Sequence, residues 1–152
     1  MIDLALIADR IGWEDKAILA AARARGASAE WLDDGALCCG ERADVPEAGA
    51  YLLRSRSFVR APLIAATIAT GPDDPSVINP AATIDLCSSK VAALARMRQA
   101  GLATVPYRLV LTRRDLARAV ELLGCPLVLK PVNGGLGRRV LLVHEPAVAD
   151  SV

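Results

Sequence analysis

The residues with most capacity for chemistry lie in "CPLVLKPVNGGLGRRVLLV", Cys125 to Val143. An apolar run delivers Lys130 at its end, and Asn133 to Gly137 then holds three glycines in five positions. Glycine tolerates positive φ and lets the backbone approach a ligand closely. Successive N–H groups in such a loop form an anion-binding concavity. An ammonium held by a strand beside a pliable ring of donors suits a polyphosphate: the charge neutralises oxygens while the loop closes and excludes water. Arg138 and Arg139 could add charge-assisted bonds. A hairpin with a glycine-rich turn and an exposed lysine fits the same stretch. No GxxxxGK[ST] is present and no GxGxxG follows the first apolar run, so neither a P-loop nor a dinucleotide fingerprint is spelled out.

A second group is Arg54, Ser57 and Arg60, just after the apolar run "AYLLRS". The two guanidinium groups could hold substrate carboxylates through paired donors; a solvated basic helix start is the alternative. Lys90, read alone, is an ordinary helix-surface lysine. Asn79, before Pro80, reads as a structural cap or as a ligand contact. Asp9 and Arg10 follow the first apolar run, where ligands of open parallel sheets collect. His144 is isolated and expected at the surface. Cys38, Cys39, Cys87 and Cys125 lack CxxC spacing, and with one His they complete no zinc site of the usual kind; free thiols are expected.

These residues need elements to position them. Ile2–Ala8 is short and apolar, the pattern of a buried strand. Trp13–Arg25 reads as a helix with Ile18, Leu19 and Ala22 on one face and Gly26 as its stop. "SAEWL", "AYLLRS" and "SVIN" are further strands, Asp33–Glu47 is loop-like, Phe58–Ala69 is a helix and "GPDDP" a turn. A βαβαβαβ unit to about residue 85, with a parallel sheet, is the expected result. Beyond it, Ser88 or Ser89 caps a helix to Ala100, and "VPYRLVL" reads as a strand. Thr112 and Asp115 open a helix with a buried stripe of Leu116, Ala119, Val120 and Leu123, stopped by Gly124. Strands Leu127–Lys130 and Arg139–Val143 flank the loop.

The net charge of +1 and the lack of aromatic residues interleaved with basic ones argue against a nucleic-acid surface. Asp3 and Asp9 interrupt the apolar start, so no signal peptide is expected. No uncharged apolar run approaches the ~20 residues that span a bilayer. A soluble, cytoplasmic α/β protein is expected.

The stretch from Leu86 to Val143 resembles the first half of an ATP-grasp module. Lys90 opens a helix ending in "AGLATVP", Lys130 stands forty positions on in "PLVLKP", and the glycine loop follows between two strands. Upstream, "IADRIGWEDKAILAAARARG", "LDDGAL", "LLRSRSFVRA" and "VINPAATIDLCSSK" resemble the N-terminal domain of RimK-type ligases, nearest the LysX branch. The resemblance implies a pre-ATP-grasp, Rossmann-like parallel-sheet domain over 1–85 and a first α+β ATP-grasp subdomain over 86–152. It implies an ATP-dependent carboxylate–amine ligase working through an acyl phosphate, which joins an amino acid to the C-terminal glutamate of a small acidic carrier protein in lysine, arginine or ornithine biosynthesis. ATP contacts would come from Lys90, Lys130, Asn133, Gly134, Gly135, Gly137 and Arg138. Substrate contacts would come from Arg54, Ser57, Arg60 and Asn79. Mg²⁺ would bridge phosphate oxygens, with its ligands in a second half. No residue is assigned to a bond-making step.

Three positions depart from the family pattern: Ser88 and Ser89 stand where Gly-Asp is usual, Leu53 where an acid precedes the arginine, and Leu136 where the loop carries a large aromatic. Nothing after Val143 matches the second subdomain, and "EPAVADSV" reads as the start of a helix with Pro146 in its first turn. The expectation is an N-terminal fragment, a truncated product or one part of a split protein. It would be inactive as a ligase alone, with an exposed edge favouring self-association or a complementing C-terminal chain. A non-catalytic nucleotide-binding or interaction module of the same ancestry is the alternative.

Overall fold

A computed structural model describes residues 2–40, 43–70, 76–135 and 137–146. The turn expected at 71–75, Leu136 and the helix start expected beyond Pro146 lie outside them. The chain forms two compact units, Met1–Ser88 and Ser89–Val152.

The first unit is built on a four-stranded parallel sheet. Its strands are β1 (Ile2–Ala8), β2 (Ala29–Asp33), β5 (Ala48–Leu53) and β6 (Ser76–Ile78), in the order β2-β1-β5-β6. β1 is central, so both of its faces are covered and Ala5, Leu6, Ile7 and Ala8 are all buried; a doubly covered strand is continuously apolar for this reason. Side chains alternate across the sheet. Ala5 and Ile7 join Tyr51, Ile64 and Ile68 on one face. Leu6 and Ala8 meet Leu19 and Ala29 on the other. Helix α1 (Trp13–Ala24) supplies Leu19, and helix α2 (Arg60–Ala69) supplies Ile64 and Ile68. The result is a three-layer α/β unit.

The link from β2 to β5 was expected to be loop. It carries a small antiparallel pair, β3 (Cys38–Cys39) with β4 (Ala43–Asp44). The helix α3 (Ala81–Ser88) was not anticipated. Its first bonds are taken by the Pro80 carbonyl, which accepts from the N–H groups of Thr83 and Ile84 at 2.9 and 3.0 Å. Its weakly amphipathic sequence, with no fully buried residue, gave no periodic signal.

The second unit comprises α4 (Lys90–Gln99), α5 (Arg113–Leu123) and the antiparallel pair β7 (Leu127–Leu129) and β8 (Leu141–Val143). Ser89 caps α4, its hydroxyl accepting from the Ala92 N–H at 3.3 Å. Thr112 and Asp115 form the expected reciprocal box at the start of α5: the Asp115 N–H donates to Thr112 Oγ1 at 3.2 Å and the Thr112 N–H to Asp115 Oδ2 at 2.9 Å. Leu116 and Val120 pack with Val143, Leu127 and Leu129.

Two expectations fail here. Leu123 ends α5 with 37% of its surface exposed, outside the buried stripe. "VPYRLVL" forms no strand ladder among the described residues. Val110 packs on the core while Leu109 and Leu111 are exposed. A strand needs a hydrogen-bonding neighbour as well as apolar residues, and Pro106 removes one donor.

Candidate functional site

In the second unit, β7 delivers Lys130. Leu127 and Leu129 face the core and Val128 is half-exposed. Lys130 continues the exposed parity and is itself exposed. The loop then turns through Gly134 at φ 147 and Gly137 at φ 69, followed by Arg139 at φ 57. A Cβ on Gly134 would stand 3.2 Å from Pro131 Cγ, so both the dihedral and the space require glycine there. The Arg138 N–H donates to the Gly135 carbonyl at 3.2 Å. Asn133, Gly137 and Arg138 are exposed, and Gly134 and Gly135 are partly covered.

Lys90, at the first turn of α4, reaches this loop. Its Nζ donates to the Gly134 carbonyl at 2.6 Å and to the Val132 carbonyl at 3.4 Å. Its backbone N–H donates to Val132 at 3.3 Å. Two lysines forty positions apart in sequence are thus attached to one glycine loop: Lys130 through the chain, Lys90 through its ammonium. Residue-by-residue reading gave no hint of the second attachment. The signal that could have found it is Ser89, whose capping preference fixes Lys90 at the helix start.

The first unit gathers charge at the carboxyl ends of its strands, the edge where ligands of open parallel sheets bind. Arg54 follows β5, and its Nε donates to Asp15 Oδ1 at 2.9 Å. The Gly12 N–H donates to the other oxygen, Oδ2, at 2.8 Å. Burial pushes the Asp15 carboxyl up, but the Gly12 N–H and the Arg54 guanidinium outweigh it and hold the group below its ordinary 3.8. Arg56 grips Asp9 with two bonds of 3.1 Å. Burial raises the Asp9 carboxyl, and Arg56 more than reverses it.

Arg60 Nη2 lies 3.0 Å from Oδ1 of Asp34, whose side chain is fully buried. Neither Asp34 oxygen has a well-angled hydrogen bond among the described residues. Ser57 accepts the Arg60 N–H at 3.0 Å and so caps the start of α2. Asn79 is exposed just after β6.

Arg54, Ser57 and Arg60 therefore share the strand-end edge expected for them, and each also has an internal structural partner. Sequence reasoning missed those partners. Asp15 and Asp34 are separated from their arginines by 39 and 26 positions, and no local pattern links them. Arg10 and His144 are exposed. No cluster of three or more His, Cys, Asp or Glu side chains suited to a metal ion occurs among the described residues. No helix among them is long and apolar enough to cross a membrane.

No protein-family model matches the chain. Among solved structures, the RimK domain ATP-grasp protein of Sphaerobacter thermophilus superposes with a TM-score of 0.85 at 26% identity, over 98% of this chain and 56% of that one. The ATP-grasp ligase PsnB, complexed with a minimal precursor, superposes with a TM-score of 0.66 at 21% identity, over 99% of this chain and 61% of its own. A second PsnB complex, with precursor, Mg and ADP, gives 0.63 at 19%. Two formate-dependent phosphoribosylglycinamide formyltransferases of Nitratidesulfovibrio vulgaris, strains DP4 and Hildenborough, are 43% identical over 51 residues, 34% of this chain and 13% of each enzyme. The fold is that of the N-terminal part of ATP-grasp ligases, and the chain spans just over half the length of the RimK domain protein.

Proposed function

We propose that this chain is the nucleotide-holding N-terminal portion of an ATP-dependent carboxylate–amine ligase. The observation that carries the reading is the glycine loop with Lys130 at its root and the Lys90 ammonium 2.6 Å from one of its carbonyls. Two cations and a pliable donor loop on one small framework match the charge and shape of a triphosphate tail. Arg138, exposed beyond the loop, adds a third cation. Asn133, Gly134, Gly135 and Gly137 would line the phosphates. The similarity to ligases, one of them complexed with Mg and ADP, supports the same reading.

The chemistry that fits is transfer of the terminal phosphoryl group to a carboxylate, giving an acyl phosphate; an amine then attacks the acyl carbon and phosphate leaves. In such a reaction this chain's contribution is positional: cations and N–H groups hold the phosphate tail. Among the described residues no cluster of three or more His, Cys, Asp or Glu side chains could hold a metal ion. The strand-end arginines Arg54 and Arg60, with Ser57 and Asn79, are the proposed contacts for a carboxylate substrate. The finer assignment, in which a cytoplasmic ligase of the LysX type loads an amino acid onto a small acidic carrier protein with a homologous or complementing chain completing the cleft, rests on the sequence resemblance.

Calorimetry with Mg-ATP tests the reading. Binding by the 152-residue chain that disappears in Lys130→Ala is the expected result. Binding that survives Lys130→Ala unchanged, or no heat with the unaltered chain, would sink it. The alternative, a module that keeps the ligase fold without its chemistry, draws on the internal Asp15 and Asp34 partners of Arg54 and Arg60.

A further inference from the structure

The Lys90 ammonium does not face solvent as an idle cation. It is held by main-chain oxygens of the very loop proposed to cover the phosphates. A charged donor at 2.6 Å from the Gly134 carbonyl, with Val132 at 3.4 Å and the Lys90 N–H on the same Val132 oxygen at 3.3 Å, fastens the first turn of α4 to residues 132–134. Hydrogen bonds to an ionised group are shorter and stronger than neutral ones. Carbonyl dipoles are nevertheless weaker partners for an ammonium than phosphate oxygens carrying full negative charge.

We propose that Lys90 is an exchangeable latch. In the ligand-free chain its ammonium pins the glycine loop by the Val132 and Gly134 carbonyls. An arriving polyphosphate takes that ammonium for itself and so releases the Val132 and Gly134 carbonyls. The role of Lys90 is then double: it restrains the loop before binding and neutralises charge after it. The anion-dependent half rests on the nucleotide reading given above, whereas the latch itself does not.

The geometry makes the exchange local. Gly134 is a residue whose φ only glycine readily adopts, and its carbonyl orientation follows from that dihedral. Releasing the ammonium removes the bond that holds this carbonyl. The loop's two ends, on β7 and β8, stay tied by the ladder pairing Leu129 with Leu141.

Carbonyl carbon NMR on the full 152-residue chain reads the latch at the atom concerned. Without ligand, Lys90→Met is expected to move the Gly134 carbonyl resonance upfield, as loss of a charge-assisted bond requires. Resonances of α5 should stay unmoved. An unshifted Gly134 carbonyl in the variant would overturn the latch.

If the variant does not fold, the unaltered chain decides. A scalar coupling across the hydrogen bond between Lys90 Nζ and the Gly134 carbonyl carbon supports the latch, and its absence at low temperature refutes it. Mg-ATP or inorganic tripolyphosphate added to the unaltered chain is then expected to move the Gly134 carbonyl in the same direction as Lys90→Met does. Ligand-induced shifts elsewhere in the loop with Gly134 still would overturn the exchange but leave nucleotide binding intact. No shift anywhere with either anion would overturn nucleotide binding and the exchange together, while the ligand-free comparison still judges the latch.

Discussion

The ion pair between Arg54 and Asp15 offers a decisive test, because it asks whether a proposed substrate arginine is also a structural one. The Asp15 side chain retains 9% of its exposure and, among the described residues, accepts from two groups, Arg54 Nε at 2.9 Å and the Gly12 N–H at 2.8 Å. Arg54→Gln removes one of them and leaves a mostly buried carboxylate half-satisfied. Breaking a fully buried pair costs about 3–5 kcal/mol, but Arg54 is 40% exposed and water screens it. A hydrogen bond to a charged group, about 1.5–3 kcal/mol, is the better guide, and about 2 kcal/mol of lost stability is expected.

The assay is urea unfolding of the unaltered chain, Arg54→Gln, Asp15→Asn and the double variant, with the coupling taken from the cycle. A coupling of about 1–2 kcal/mol at pH 7 is expected from these figures. The pH dependence provides a second check. The folded Asp15 carboxyl lies below its ordinary 3.8, so its contribution is complete above that value and is lost as pH falls through the folded pKa. The coupling should therefore vanish in acid below 3.8 and persist through neutrality. A coupling near zero at pH 7, or one that grows on acidification, would refute the reasoning and return Arg54 to substrate binding alone.

Two further outcomes follow from named residues. Gly134→Ala combines a strained φ of 147 with a Cβ 3.2 Å from Pro131, so it should weaken Mg-ATP binding by about tenfold or more, a cost of ~1.4 kcal/mol or above. Thiol titration with an aromatic disulfide should label the exposed Cys38, Cys39 and Cys87 ahead of the partly covered Cys125. Burial and the neighbouring Cys38 thiol push the Cys39 thiol above its ordinary 9.0, so Cys39 should react more slowly at pH 8 than its exposure alone suggests.

What the sequence determined by itself is whatever short-range chemistry encodes. Ile2–Ala8 is a central strand because the apolar run from Leu4 to Ala8 suits a doubly covered position. Thr112 and Asp115 mark a helix start three residues apart, and Gly26 and Gly124 mark ends, since capping acts within one turn. Lys130 before a glycine loop is likewise a local pattern. Tertiary structure alone decided which partners these groups meet. It put the Lys90 ammonium on Gly134, 44 positions away, and set Asp15 and Asp34 against arginines from other elements. It withheld a ladder from "VPYRLVL", whose apolar residues read as a strand, because a strand exists only where a second chain segment offers its own N–H and C=O groups. Propensity and capping depend on neighbours along the chain, whereas ion pairs, latches and ladders depend on neighbours in space.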